Sequence, residues 1–285
     1  MKKKVLSAIL ASVLTLGVLV GCGGSSAEKN QNAIGTESTE GAVTTITVGA
    51  SSTPHAEILE FAKPILAEQG YNLEITVFDD YIIPNEVVES GEMDANYFQH
   101  VLYLNNFNSE KGTHLVNAGG IHFEPLGIYP GTKAALEDIE AGDVIAVPND
   151  VTNGARALLL LEDNGLIKLK EGAGLTATKN DIEQYIIEIE IEELAAEQVA
   201  RVKEEVAYVV LNGNYALQAG FSVGEDALVC ESSESEAIQN YVNVIAVKEG
   251  NENNEGITAL IDVLKSDEVK EFINGKYDGS VIPFN

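Results

Sequence analysis

Residues 94–104 contain several side chains that could surround a small ligand. Three aromatic residues and one of the four His lie within seven positions, although aromatic residues form only 6% of the chain and Trp is absent. At strand spacing Phe98 and His100 face the same side, and Tyr103 follows at the start of a predicted helix. Such a wall is mostly apolar with a few polar atoms, which suits a small amphipathic ligand, and ordinary core packing is the alternative.

Arg156 is a candidate anion-binding residue. The chain contains only two Arg, Arg156 and Arg201, and Arg156 is predicted in the first turn of a helix capped by Thr152 or Asn153. A cation there opposes the helix dipole, so the placement makes sense if the guanidinium and the free amides of that turn bind one carboxylate. The alternative is a solvated Arg on the helix surface.

Two Asn residues could complete a polar site. Asn212 ends the predicted strand 209–211, where its amide could bind a carboxylate or an ammonium group, or could simply cap the next helix. Asn243 lies inside the apolar strand 241–247, where Asn is disfavoured. We therefore expect Asn243 to meet a buried partner.

The N-terminal residues have the order of a bacterial lipoprotein signal. Lys2–Lys4 precede an apolar run over residues 5–20, which is too short for a stable membrane span and ends in Leu-Val-Gly-Cys at residues 19–22. Cleavage of residues 1–21 would leave Cys22 acylated, and several acyl chains hold a protein durably on a membrane. We predict a protein anchored by lipid to the extracytoplasmic face of the bacterial cell membrane, and an uncleaved anchor is the alternative.

Charge and cysteine content exclude several partners. The formal net charge is −28, and loss of the three Lys of the signal would make it −31. Such a surface repels phosphate backbones, so we expect no nucleic-acid partner, and the membrane contact must come from the lipid. With Cys22 modified, Cys230 has no intramolecular disulfide partner. Residues 22–45 are rich in small and polar residues and are predicted to be a flexible tether.

The remaining residues alternate predicted strands with predicted helices. Their number, about 240, is enough for one large or two medium domains. The alternation predicts an α/β fold with parallel, doubly wound sheets arranged in two lobes. The candidate residues follow predicted strand ends, which is where ligands bind in such folds. The strands are predicted near residues 46–50, 73–78, 94–98, 114–116, 143–148, 187–191, 206–211 and 241–247.

Eight short segments also occur in a recognisable order. They are PHAEIL at 54–59, DY and PN at 80–85, GEMDANYFQH with YL at 91–104, HFEPLGIY at 122–129, IAVPND at 145–150, TN with RAL at 152–158, NGNYA at 212–216 and YVN at 241–243. In that order they resemble the methionine-binding lipoproteins of the MetQ/NlpA family, which are substrate receptors of ATP-binding-cassette importers.

The resemblance implies a fold, a ligand and a partner. It implies a type II periplasmic-binding-protein fold, with lobe I at residues 46–128 and 242–285, lobe II at 129–241 and the ligand cleft between them. The implied ligand is L- or D-methionine or a methionine-containing dipeptide, and the implied partner is the permease of the importer. No cofactor, metal or catalytic activity is implied.

The resemblance also implies roles for single residues. Aromatic residues and a His of the family surround the methionine thioether, and they match Tyr81, Phe98, His100 and Tyr103. The family Arg that binds the ligand carboxylate matches Arg156. The Asn residues that bind the amino-acid head group match Asn153, Asn212 and Asn243.

The chain departs from the family pattern at several positions. Leu102 and Ala200 stand where Pro is usual, Ala207 stands where an acidic residue is usual, and the Glu-rich segment 183–200 has diverged. These departures bear on the identity of the ligand more than on its class.

Two other functions are less consistent with the sequence. A metal-ion-binding lipoprotein receptor would use cleft His residues, but His55, His100, His114 and His122 show no close ligand spacing. An enzyme could use the Gly-Phe-Ser-Val-Gly sequence at 220–224 as a nucleophile elbow, but that motif needs a preceding strand and here a helix is predicted before it.

Overall fold

The structure, a computed structural model, describes residues 43–232 and 236–284. The predicted signal peptide, Cys22 and the predicted tether as far as residue 42 lie outside this part of the chain. The predicted end of the tether at residue 45 is wrong by two residues, because Thr44 and Thr45 already pair with Tyr71 and Asn72 in a parallel ladder. Among the described residues, no helix combines the length and the apolar character that a membrane crossing needs.

Strands and helices alternate along most of the described chain. The strands are β1 (Thr44–Ala50), β2 (Tyr71–Val77), β3 (Ala95–His100), β4 (Leu115–Phe123), β5 (Gly127–Pro130), β6 (Val144–Pro148), β7 (Ile167–Leu169), β8 (Ile182–Tyr185), β9 (Glu190–Leu194), β10 (Tyr208–Leu211), β11 (Val229–Cys230), β12 (Val242–Lys248) and β13 (Ile282–Pro283). The helices are α1 (Glu57–Glu68), α2 (Ile83–Ser90), α3 (Val101–Lys111), α4 (Val151–Asp163), α5 (Ala196–Val199), α6 (Gly213–Gln218), α7 (Val223–Asp226), α8 (Glu255–Leu264) and α9 (Asp267–Tyr277).

The strands form two main sheets, as a two-lobed α/β fold requires. The first sheet has the order β13-β4-β12-β3-β1-β2, and the second has the order β11-β5-β10-β6-β9. A third pairing joins only β7 and β8. The chain passes from the first sheet to the second through residues 124–126 and returns between β11 and β12. The limits of the two lobes stay a prediction.

Both main sheets are mixed, so the prediction of parallel sheets is wrong. In the first sheet β1 runs parallel to β2 and β3, but β12 runs antiparallel to β3 and β4. In the second sheet β6 runs parallel to β9 and β10, but β5 runs antiparallel to β10 and β11. Hydrophobic periodicity reports which face of a strand is buried and carries no information on its direction.

Each main sheet has its own hydrophobic core. In the first, Val48, Tyr97 and Ile245 pack with buried side chains of α1, α8 and α9. The apolar stripe of α8 is Ile257, Leu260, Val263 and Leu264, at the spacing that places side chains on one helix face. Burial of each such aliphatic side chain stabilises the fold by roughly 1.5–3 kcal/mol, which gives the strand ends a rigid support.

The second sheet is supported mainly by α4. Its Leu158 and Leu161 pack with Ile145, Val147 and Val210 of the sheet. The Asp150 side chain caps the helix by accepting a hydrogen bond from the Asn153 backbone N–H at 2.9 Å. This core fixes the N-terminal turns of α4 beside the carboxyl ends of β6 and β10, where the candidate polar residues lie.

Candidate ligand-binding site

One cavity brings together all eight candidate ligand-binding residues. It contains about 320 Å³ of space that protein atoms do not fill, including its opening to solvent. Its lining comes from strand ends, connecting segments and the first turns of helices beside both main sheets, which is the expected place for a ligand in this architecture. The lining residues are Tyr81, Phe98, Gln99, His100, Tyr103, Glu124, Asn153, Arg156, Asn212, Gly213, Asn214 and Asn243.

One side of the cavity is an aromatic wall formed by Tyr81, Phe98 and Tyr103. The Tyr81 ring centroid lies 5.6 Å from those of both Phe98 and Tyr103, and 5.0 Å from that of Tyr215. Phe98 and His100 project from the same face of β3, as predicted, because alternate side chains of a strand share a face. Rings at these distances hold each other in place and present a firm apolar surface.

His100 connects the aromatic wall to the polar residues. Its Nδ1 accepts a hydrogen bond from the Tyr103 backbone N–H at 3.0 Å, which caps α3. Its Nε2 therefore carries the proton and donates to Asn153 Oδ1 at 3.1 Å. Burial, with a smaller contribution from the Arg156 charge, lowers the pKa of His100 to about 3, so the imidazole is neutral at physiological pH.

Asn153 lies at the centre of the site, where its side chain bonds three other residues. Its Oδ1 accepts hydrogen bonds from His100 and from Asn212 Nδ2, the latter at 2.7 Å. Its Nδ2 donates to both carboxylate oxygens of Asp150, at 3.0 and 3.1 Å. Asn212 occupies the position before α6, but its side chain makes no capping bond and points to Asn153 instead. The simple helix-cap interpretation of Asn212 therefore does not hold.

The structure corrects the predicted position of Arg156 in its helix. Because Asp150 is the cap and α4 begins at Val151, Arg156 lies in the second turn rather than the first. Arg156 therefore belongs to a later turn than the one that carries the free amides. Thr152 and Asn153, the predicted caps, lie inside the helix because the carboxylate of Asp150 takes the capping role two to three residues earlier.

Arg156 is buried, with 3% of its surface exposed, and much of its guanidinium is already bonded. Its Nε donates to Glu231 Oε1 at 2.6 Å and its Nη2 to Glu231 Oε2 at 2.5 Å. The same Nη2 donates to the Glu124 backbone carbonyl at 2.8 Å. The guanidinium carbon also lies 4.1 Å from the Tyr241 ring centroid. None of these contacts uses Nη1.

Sequence reasoning missed Glu231. It follows the short strand β11 in a segment without hydrophobic periodicity, and no motif marks it. Its Oε2 also accepts from the Leu126 backbone N–H at 2.9 Å, so it joins Arg156 to both chain crossings between the sheets. The sequence could have indicated only that an acidic partner exists, because a buried Arg needs a carboxylate beside it.

A second buried network surrounds Glu124. Glu124 Oε1 lies 2.7 Å from His122 Nε2 and 3.3 Å from His55 Nε2, and the Tyr97 hydroxyl bonds His122 Nδ1. His55 Nε2 also bonds Asn243 Oδ1 at 3.0 Å, which supplies the buried partner expected for Asn243. Sequence spacing gave no sign of this group, because its members lie on separate segments that only the fold brings together.

Burial controls protonation in this network. It lowers the pKa of His55 to about 4 and that of His122 to about 3, so both rings are neutral. Burial also raises the pKa of Glu124, although the His55 and Arg156 charges act in the opposite direction. The possible metal-ligand atoms of His55, His122 and Glu124 lie within 4.8 Å of one another. Hydrogen bonds within the network and to Tyr97 and Asn243 already account for this arrangement.

The candidate nucleophile elbow is not formed. Ser222 caps the short helix α7 by accepting from the Glu225 backbone N–H at 3.3 Å. The element before it is α6, which is a helix and not the strand that the elbow requires. Ser222 is also absent from the cavity lining.

Comparison with known proteins shows the family to which the chain belongs. The family model described as NlpA lipoprotein matches residues 46–285. The chain is 39% identical to "Methionine-binding lipoprotein MetQ" of Bacillus subtilis over 99% of both chains, and 39% identical to "Membrane lipoprotein TpN32" of Treponema pallidum over 84% of this chain and 87% of that protein.

Solved structures agree with the sequence comparison. A lipoprotein from Ruminococcus gnavus has 69% identity and a TM-score of 0.84, covering 85% of this chain and all of that one. A nutrient-binding protein from Burkholderia cenocepacia, solved bound to methionine, has 38% identity and a TM-score of 0.80, covering 84% of this chain and all of that one. A metal receptor finds no support in these likenesses. The chain belongs to the NlpA lipoprotein family.

Proposed function

We propose that this protein is the lipid-anchored substrate-binding protein of an ATP-binding-cassette importer, that it captures methionine, and that it delivers methionine to the permease. It acts as a binding protein rather than an enzyme. The observation that carries the proposal is a single cavity with an aromatic wall on one side and a buried Arg on the other, in a chain 39% identical to a methionine-binding lipoprotein.

The two sides of the cavity suit the two ends of methionine. A thioether gains about 0.3–1.5 kcal/mol from each contact with an aromatic ring edge, which the rings of Tyr81, Phe98 and Tyr103 can supply. The carboxylate binds Arg156 through Nη1, with the amide group of Asn243 completing its shell. Asn153 holds His100 and Asn212 in position for the ligand.

The size of the ligand requires nearly complete contact with the protein. Methionine has about nine heavy atoms, so its greatest attainable binding free energy is roughly 13 kcal/mol, and nanomolar binding requires nearly all of its surface to be in contact. Two lobes around a cleft supply such contact, whereas an open groove does not. The acidic surface does not oppose capture, because the zwitterion carries no net charge.

The lipid anchor and the permease are parts of the same proposal. The relatives are named as lipoproteins, and Cys22 follows a lipoprotein-type signal. An anchored receptor remains close to its permease, so each captured ligand is released beside the transporter. Relatives named as D-methionine-binding lipoproteins, such as that of Escherichia coli at 34% identity, require both enantiomers to be tested.

Calorimetric titration of ligand-free protein tests the proposal. The protein is unfolded, dialysed and refolded to remove retained ligand, then titrated with L-methionine, D-methionine, glycylmethionine and norleucine. Norleucine is the matched control, because a methylene replaces the sulfur. We expect tight binding of at least one methionine ligand and about 2- to 10-fold weaker binding of norleucine. Absence of binding by all three methionine ligands would overturn the proposal.

A further inference from the structure

We infer that Tyr215, which does not line the ligand cavity, limits the length of the ligand side chain that the site accepts. It does so by holding the Tyr81 ring in place between the cavity and a second pocket. This inference rests on the proposed function and goes beyond it, because neither the sequence nor the family resemblance gave Tyr215 a role. Tyr215 is a positioning residue, since it acts on the ligand through Tyr81.

The second pocket, here called the outer pocket, has Tyr215 in its lining. It contains about 660 Å³ of space that protein atoms do not fill, including its opening to solvent. Charged groups retain their hydration wherever they can, so we expect water in this pocket rather than an apolar surface. The lining residues are Asp79, Glu197, Ala200, Arg201, Tyr215, Gln218 and Ala219.

Two chain segments each contribute to both the cavity and the outer pocket. In α6, Asn214 lines the cavity and the next residue, Tyr215, lines the outer pocket. Between β2 and α2, Tyr81 lines the cavity and Asp79 lines the outer pocket. The ring centroids of Tyr81 and Tyr215 are 5.0 Å apart, with their planes inclined by 34°. This ring pair, here called the partition, therefore separates the cavity from the outer pocket.

Hydrogen bonds fix the partition at both rings. The Tyr215 hydroxyl donates to the Asp79 backbone carbonyl at 2.9 Å. The Tyr81 hydroxyl donates to Asn214 Oδ1 at 2.5 Å, and the Tyr81 backbone carbonyl accepts from the Tyr103 hydroxyl at 3.1 Å. Only 6% of the surface of Tyr215 is exposed. Removal of the Tyr215 side chain would take away the ring beside Tyr81 and one of these links between α6 and the segment that carries Tyr81.

The partition lies at the end of the cavity that is proposed to hold the ligand sulfur. A longer S-alkyl group would have to push the Tyr81 ring toward Tyr215. Protein interiors are close-packed, so a ring held on its far side by a second ring can move little, and added methylenes are rejected. The partition also keeps the water of the outer pocket away from the sulfur.

Thioethers of increasing length test this inference. Calorimetry compares methionine with its S-ethyl, S-propyl and S-butyl homologues, in the enantiomer that the wild type binds more tightly, for the wild type and Tyr215→Ala. The wild type should bind the S-butyl homologue about 100-fold more weakly than methionine, because overpacking of a rigid site has effects of this size. In Tyr215→Ala the Tyr81 ring can move into the vacated space, so this ratio should fall below about tenfold.

Two further variants control the experiment. Tyr215→Phe keeps the ring and removes only the hydroxyl bond to Asp79, so the ratio should fall by about 2- to 10-fold. Tyr208→Phe is the matched control, because the Tyr208 hydroxyl also donates to a backbone carbonyl, that of Ala135 at 2.7 Å, but Tyr208 lines neither space. It should keep the wild-type ratio. If Tyr215→Ala does not fold, the two Phe variants decide the question.

The outcomes separate this inference from the proposed function. Failure of the wild type to bind any methionine ligand removes the proposed function and the inference together. If the wild type binds methionine and the S-butyl homologue equally well, only the inference is overturned. An unchanged ratio in Tyr215→Ala also overturns it, even if all four ligands bind more weakly, because Tyr215 would then stabilise the site without limiting ligand length. An equal fall of the ratio in Tyr208→Phe and Tyr215→Phe would overturn it as well.

Discussion

The two sides of the cavity are built in different ways. The aromatic wall of Tyr81, Phe98 and Tyr103 comes from one short stretch of chain, and its rings contact one another directly. The opposite side is here called the polar end, and it comprises Arg156, Glu124, Asn212 and Asn243 of the lining together with Glu231, which bonds Arg156 from outside the lining. Its hydrogen bonds join distant segments, since Arg156–Glu231 and His55–Asn243 span 75 and 188 positions.

This difference determines how each side responds to change. Ring contacts are individually weak, so loss of one ring leaves the others in place and has a graded effect. Buried charges and hydrogen bonds depend on particular partners, so loss of one partner leaves another group unpaired at a large cost. We therefore expect substitutions at the polar end to have larger effects than substitutions in the aromatic wall.

Arg156→Ala should have the largest effect. It removes the cation for the ligand carboxylate and leaves Glu231 without its partner, so methionine binding should be lost and the free energy of unfolding should fall by about 3–5 kcal/mol. Calorimetry and urea unfolding measure these quantities. Arg201→Ala is the matched control, because Arg201 is the other Arg of the chain and is exposed. Unchanged methionine affinity in Arg156→Ala would contradict the role of the polar end.

Acid should weaken the fold through three buried His residues, of which two lie beside Glu124 and one bonds Asn153. The pKa values of His55, His100 and His122 lie below the ordinary value of 6.5, at about 4, 3 and 3. As the pH falls below 6.5 the unfolded chain takes up protons first, so stability falls. At pH 5.5 each His contributes a loss of about 1.4 kcal/mol.

Glu124 opposes this loss in part. Burial raises its pKa above the ordinary value of 4.5, so the folded protein takes up that proton before the unfolded chain does. Urea unfolding at pH 7 and pH 5.5 measures the net effect, which should be a clear decrease at the lower pH. Equal unfolding free energies at the two pH values would show that the three imidazoles are not held in their neutral form.

Glu231→Gln should lower the stability of the ligand-free protein with only a small change in methionine affinity. It removes the charge partner of Arg156 but keeps the shape of the side chain, so we expect a loss of about 2 kcal/mol in the stability of the ligand-free protein. The ligand carboxylate then becomes the main partner of Arg156, so methionine affinity should stay within about tenfold of wild type. Thermal unfolding with and without methionine measures both effects, and unchanged stability of the ligand-free variant would contradict the expectation.

Phe98→Leu should have the smallest effect on methionine binding. We expect it mainly to weaken the recognition of the ligand sulfur atom. It keeps apolar volume but removes a ring, so methionine affinity should fall about 2- to 10-fold and the preference over norleucine should shrink. Phe107→Leu is the matched control, because Phe107 is buried in the same cluster but does not line the cavity. A similar loss of preference in both variants would mean that the wall acts through general packing alone.

The same difference explains what could be predicted from the sequence. Phe98, His100 and Tyr103 lie close together in the chain and follow strand and helix periodicities, so their shared face could be read directly. The alternation of strands and helices likewise gave the two-lobed α/β architecture. These features depend on local spacing, which a sequence displays.

Features that depend on long-range pairing could not be predicted in this way. The opposite direction of β12 and β5, the Glu231 partner of Arg156 and the group around Glu124 are set by contacts between distant segments. The turn of α4 that holds Arg156 was misplaced because Asp150, Thr152 and Asn153 are all plausible caps, and only the structure shows that Asp150 accepts the bond.

We expect methionine to lie across the cavity, with its sulfur on the aromatic wall and its charged groups at the polar end. A crystal structure of the protein with selenomethionine as the ligand tests this most directly, because anomalous scattering locates the selenium atom. We expect one strong ligand peak against the rings of Tyr81, Phe98 and Tyr103, with the ligand carboxylate at Arg156. A ligand peak beside Arg156, or none within the cavity, would contradict this orientation of methionine.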